Sequence, residues 1–80
     1  MNQGILTADI HGMNTLQAKI KLDSLLKGCK AYRLVVVHGY RGGTALRDMV
    51  RSVYKNHPKV LRIELGLNPG ETTLVLKEFY

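Results

Sequence analysis

Cysteine is nearly absent from this 80-residue chain, where Cys29 stands alone. A single thiol makes neither an internal disulfide nor a Cys-x-x-Cys metal or redox pair, so Cys29 reads as a small apolar residue at a helix end. Acidic residues are scarce as well. Six Asp and Glu against twelve Lys and Arg leave a net charge of +6, a field that favours an anionic partner, most often nucleic acid. Proline is confined to Pro58 and Pro69, and no repeat, low-complexity stretch or linker divides the chain. No apolar run approaches the ~20 residues that cross a bilayer, and the opening MNQGILTADI has neither the basic segment nor the long apolar stretch of a secretory signal. These absences give the expectation of a cytoplasmic protein without membrane contact. What is present, 45% apolar and 22% charged residues, is the composition of a folded domain rather than a disordered tail. Eighty residues suffice for one core, so residues 1–80 are expected to form a single domain.

Residues 5–11, ILTADIH, alternate with a period of two, Leu6, Ala8 and Ile10 on one face and Thr7, Asp9 and His11 on the other. This is a strand ended by Gly12. Asn14 followed by Gln17 is close to a capping box, and a helix runs from there to Lys27 before Gly28. Ala18, Leu22, Leu25, Leu26 and Cys29 share its apolar arc, while Leu16 and Ile20 fall outside it and read as packing on the sheet edge or forming a partner patch. Residues 32–37, YRLVVV, are a short continuous apolar run, the pattern of a central strand buried by its neighbours. Thr44 then caps a second helix carrying Leu46, Met49, Val50, Val53 and Tyr54, which Pro58 stops. Residues 60–65 and 73–79 alternate as strands around the turn chemistry of Gly66, Asn68, Pro69 and Gly70.

The order is βαβαββ. It predicts an α/β two-layer sandwich: a mixed four-stranded sheet, its first pair parallel and its last antiparallel, with both helices on one face. In such a sheet, loops that follow parallel strands gather at the strands' carboxyl ends, where ligands bind. One loop is Asp9-Ile10-His11-Gly12. The other, His38 to Thr44, carries Gly39, Gly42 and Gly43 before a helix, leaving backbone N–H groups to converge on an anion. It is neither a Walker loop nor a dinucleotide fingerprint. Arg41 in the loop is a bidentate phosphate donor, and Arg47, Arg51 and Lys55 recur every four residues along the second helix, a stripe for successive phosphates. Tyr40, Thr44 and Gly12 complete the expected phosphate-binding set. Asp9 and His11, two apart, place a carboxylate beside an imidazole, which fixes the ring's tautomer and suits proton transfer in phosphodiester cleavage. His11, His38 and Asp9 lack metal-ligand spacing, so no metal site is expected from them.

Together ADIHG at residues 8–12 and HGYRGGTALR at 38–47 resemble the small MutS-related (Smr) domain, with its L-D-x-H-G segment and T/H-G-x-G loop. The likeness spans nearly the whole chain, which looks like a short free-standing member. It implies a fold similar to the C-terminal domain of translation initiation factor three and a link to nicking or cleaving DNA or RNA, in settings that include DNA repair and recombination. By this resemblance Asp9 and His11 fall on the family's functional Asp and His, and His38 to Gly43 on its glycine motif. Ala8 stands where Leu is usual, and the second loop is one residue longer, so Gly42 supplies its second glycine.

The expected function is therefore that of a nucleic-acid-binding endonuclease, with catalytic Asp9, His11 and His38. His38 is either a second proton-transfer group or a phosphate donor. No cofactor is required by this reading, although a metal-assisted route with magnesium or manganese on Asp9 is equally open. The alternatives are a non-catalytic nucleic-acid-binding module on the same surface, and an interaction domain that dimerises through the open sheet face or the Leu16 and Ile20 patch.

Overall fold

The structure, a computed structural model, describes residues 4–41 and 43–78, so Gly42 and Phe79 lie outside the described residues. Strand β1 (Ile5–Asp9) leads through a turn into helix α1 (Thr15–Lys27). The capping box forms as its residues suggest: Asn14 Oδ1 accepts from the Gln17 N–H at 2.8 Å, and Gln17 Oε1 from the Asn14 N–H at 3.1 Å. At the other end, Lys59 Nζ donates to the carbonyls of Leu26 and Lys27 at 3.1 and 2.9 Å, a cation on the negative pole of the helix. Strand β2 (Arg33–Val37) and helix α2 (Ala45–Val53) follow, and α2 tightens into a 3-10 turn at Tyr54–Asn56 before Pro58.

Strands β3 (Arg62–Glu64) and β4 (Glu71–Val75) complete a four-stranded sheet of order β1-β2-β4-β3. β1 and β2 are parallel, and β4 is antiparallel to both β2 and β3. The last two strands differ in extent from the sequence expectation. β4 begins at Glu71 because Asn68 closes the preceding turn early, its side chain accepting the Gly70 N–H at 2.8 Å. It ends at Val75 because the N–H groups of Leu76 and Lys77 both turn to the Tyr32 carbonyl. β3 keeps only three residues of ladder opposite Val75, Leu74 and Thr73.

Both helices cover one sheet face, and the core lies between the layers. Ala8, Ile10, Leu34, Val36 and Leu74 from the sheet side meet Ala18, Leu22 and Leu26 of α1, with Val50 and Tyr54 from α2 and its turn. A fully buried Leu contributes roughly 1.5–3 kcal/mol, so this row specifies which face of each element turns inward. Because the second face is open, the apolar run in β2 is not buried on both sides. Leu34 and Val36 are buried, and Val35 and Val37 only half so. Leu16 and Ile20 do not pack on the sheet edge, being 67% and 62% exposed on the outer side of α1. Leu6 is also exposed, at the outer edge of the sheet. Among the described residues no helix is long and apolar enough to cross a membrane.

Candidate functional site

The parallel pairing of β1 and β2, with Asp9 opposite Val37, brings the β1–α1 and β2–α2 loops side by side at the strands' carboxyl ends. Asp9 is the last residue of its strand. The chain then leaves the ladder, so His11 does not share a strand face with Asp9 as its spacing suggests. It returns through the turn instead. The Asp9 carboxylate accepts the His11 backbone N–H at 3.1 Å, and its Oδ1 lies 2.5 Å from Nδ1 of the ring. These two bonds, chiefly the one from the ring, hold the Asp9 carboxyl below the usual carboxylate range, and Lys21 adds a smaller electrostatic pull. An ionised carboxylate only accepts, so Nδ1 carries the proton and Nε2 is left for chemistry. Lys21 Nζ also donates to the Asp9 carbonyl at 3.0 Å and so ties α1 to the end of β1.

The second loop turns sharply at Gly39, whose φ of 77° lies in the left-handed region that glycine adopts without strain. A side chain there would also point at His11, 3.6 Å from its Cβ, so the two loops touch. The Gly39 N–H does not face an anion. With the His38 N–H it donates to the Gly70 carbonyl, at 3.0 and 2.9 Å, which staples the loop to the turn before β4. The N–H groups of Tyr40, Arg41 and Gly43 meet no backbone acceptor among the described residues. Thr44 is not a side-chain cap. Its hydroxyl donates to Asp48 at 2.9 Å, leaving the first turn of α2 without a side-chain acceptor.

His38, expected as a proton-transfer or phosphate-donor group, is buried, and both ring nitrogens have internal partners. Nδ1 lies 2.7 Å from the Gly39 carbonyl, which can only accept, so Nδ1 carries the proton. Nε2 then accepts from the Thr72 hydroxyl at 2.9 Å, while Thr72 accepts from Arg51 Nε at 3.0 Å. The chain of donors runs one way, from Arg51 through Thr72 and His38 to the loop backbone. Arg51 is thereby drawn toward the sheet, and Arg47 pairs with Asp48 at 3.1 Å, so the expected stripe is not a row of free charges.

Between the loops lies an open cleft of about 640 Å³. It gathers His11, Gly12, His38, Gly39, Tyr40, Arg41 and Gly43 of the expected residues, with Asp9 standing behind His11. Thr44, Arg47 and Arg51 do not line it, and Gly42 lies outside the described residues. Met13, Val37 and Leu46 form its apolar wall. Sequence reasoning missed Lys21, Gly70 and Thr72. Thr72 alone carried a signal, a polar residue at a core-facing strand position, which becomes visible only once β4 starts at Glu71. Among the described residues no group of three or more His, Cys, Asp or Glu converges.

The family model of the Smr domain matches residues 8–72, from just before Asp9 to Thr72. No curated protein matches the chain. Among solved structures, the crystal structure of the Smr domain of Thermus thermophilus MutS2 superposes with a TM-score of 0.79, covering 91% of this chain and 99% of that one. At 22% sequence identity this is a likeness of fold.

Proposed function

This chain belongs to the Smr domain family, which is associated with nucleic-acid binding and nuclease activity, and we propose that it hydrolyses phosphodiester bonds in DNA or RNA. A backbone phosphate enters the cleft between the two loops. Arg41 and the unengaged N–H groups of its loop hold the non-bridging oxygens, and Arg47 and Arg51 extend the positive field beyond the cleft. His11 Nε2 takes a proton from the attacking water as the new P–O bond forms. The bond to the leaving sugar oxygen breaks, that oxygen takes a proton from solvent while the His11 ring returns its own to solvent, and the products are a phosphate monoester end and a hydroxyl end. Asp9 holds the ring in the tautomer this step needs. His38 positions the glycine loop.

The observation that carries this reading is the 2.5 Å contact between Asp9 and the His11 ring, with His11 in the wall of a cleft that also holds Arg41. Magnesium and manganese take carboxylate oxygens together with water, so Asp9, behind His11, is the residue that would hold such an ion. The test is cleavage of labelled RNA and of single-stranded, nicked and branched DNA, with and without divalent ions. Loss of cleavage in His11→Ala with binding intact is expected, and cleavage that survives this substitution overturns the assignment. One feature favours a binding module without catalysis: the His11 and Asp9 side chains are 69% and 54% exposed, leaving the pair in high dielectric. Salt-dependent binding without cleavage under every ion condition identifies that case.

A further inference from the structure

We propose that the cleft stacks an unpaired nucleobase on Tyr40, which makes single-stranded or locally opened nucleic acid the substrate of this site. The inference rests on the preceding reading that this surface binds nucleic acid. Tyr40 is a large aromatic held at the cleft rim, 56% exposed. Its ring is backed rather than loose. A Cβ at Gly70 would lie 3.3 Å from Tyr40 Cδ1 and 3.4 Å from Gly39 Cα, so glycine at position 70 lets the ring settle against the turn before β4. The Arg41 guanidinium sits 6.0 Å from the ring centroid and has no acidic partner among the described residues. The remaining wall, Met13, Val37 and Leu46, offers nothing to a phosphate but is suited to a base face or edge. A cleft of about 640 Å³ falls in the range of small-molecule sites. An aromatic platform, an adjoining cation and an apolar wall are the parts that hold a base and its phosphate together, and a base paired inside a duplex cannot reach them.

The test uses the full chain and two fluorescent single strands of equal length and charge, one of deoxyadenosine and one of abasic sites, titrated at several salt concentrations. The base-bearing strand is expected to bind roughly tenfold more tightly, within the range a stacked base contributes. Tyr40→Ala brings the ratio of the two affinities close to one, and Tyr40→Phe retains it. Equal binding of the two strands by the unaltered protein, or a ratio that survives Tyr40→Ala, overturns the stacking site while leaving phosphate binding in place. Failure of both strands to bind in a salt-dependent way overturns the nucleic-acid reading itself, and this inference with it.

Discussion

The hydroxyl of Thr72 meets Nε2 of His38 at 2.9 Å in the interior, 34 residues apart in the chain. That hydroxyl has one proton and two roles: it donates to the ring and accepts from Arg51. The pair therefore couples strand β4 to the first residue of the glycine loop.

Replacing Thr72 by Val keeps the shape and removes both bonds, leaving His38 Nε2 buried without a partner. The expected loss is about 1–3 kcal/mol of stability, read by urea unfolding. Thr72→Ser restores most of it, because the hydroxyl is what matters. Nitrogen chemical shifts of the His38 ring report the same event: the Gly39 carbonyl still keeps the proton on Nδ1, and the Nε2 resonance moves as it loses the bond it accepts from Thr72. A Thr72→Val protein as stable as the parent, with unchanged ring shifts, would show that the brace is not there.

The Asp9 and His11 pair separates by its two variants. His11→Ala removes the proton-transfer group and is expected to lower the cleavage rate by about 10²–10⁴-fold. Asp9→Asn keeps the volume and an oxygen that can accept both His11 N–H groups, but it removes the negative charge that stabilises the ring once Nε2 takes up a proton. A smaller rate loss is expected, with substrate affinity little changed. The Asp9 carboxyl is held below its ordinary value of 3.8, so it stays ionised until the pH falls through that lowered value. The bond it makes with His11 is present above 3.8 and is lost only in stronger acid. An Asp9→Asn enzyme as active as the parent would remove Asp9 from the mechanism.

Arg41 and Arg47 carry the same charge in different settings. Arg41 is exposed in the cleft with no acidic partner among the described residues, while Arg47 is already paired with Asp48. Arg41→Gln is therefore expected to flatten the slope of log affinity against log salt by about 0.7–0.9, the share of one phosphate contact. Arg47→Gln should flatten it less. A slope flattened more by Arg47→Gln than by Arg41→Gln would mean that the basic helix face, not the cleft, carries the phosphate.

Much of the architecture is legible because its causes are local. Asn14 and Gln17 cap α1 through a three-residue spacing, and the alternation of residues 5–11 and the continuous apolar run of 32–37 mark two strands whose intervening helix makes them parallel. The closeness of Asp9 and His11 is also legible, although a turn and not a strand produces it. What was not legible depends on partners far along the chain. Nothing near Arg51 announces that Thr72 will draw it toward the sheet, and nothing near Gly39 that its N–H will be taken by Gly70. The place of Leu16 and Ile20 outside the apolar arc of α1 leaves sheet-edge packing and a partner patch both open, and only the sheet's extent decides that they face solvent.

Tyr54 gives a prediction in the alkaline range. Its ring is fully buried, and its hydroxyl lies 2.7 Å from Asp23 Oδ1 and 3.2 Å from the Lys19 carbonyl, joining the end of α2 to α1. Burial first, and the bond to the Asp23 carboxylate second, push the phenol well above its ordinary value of 10.0. The folded domain thus keeps a proton that the unfolded chain loses near that value. Its stabilising contribution is fully present below pH 10.0 and declines as the pH rises above it toward the raised folded value. Tyr54→Phe removes the hydroxyl and is expected to cost roughly 1.5 kcal/mol at neutral pH, as for a hydrogen bond to a charged group. Since the other titrating groups are common to both proteins, the difference between their urea-unfolding free energies isolates this one. It should stay constant up to about the ordinary tyrosine pKa and shrink beyond it. A difference that is flat across the alkaline range would mean that the phenol ionises as readily in the folded domain as in the unfolded chain, and that the bond to Asp23 does not hold its proton.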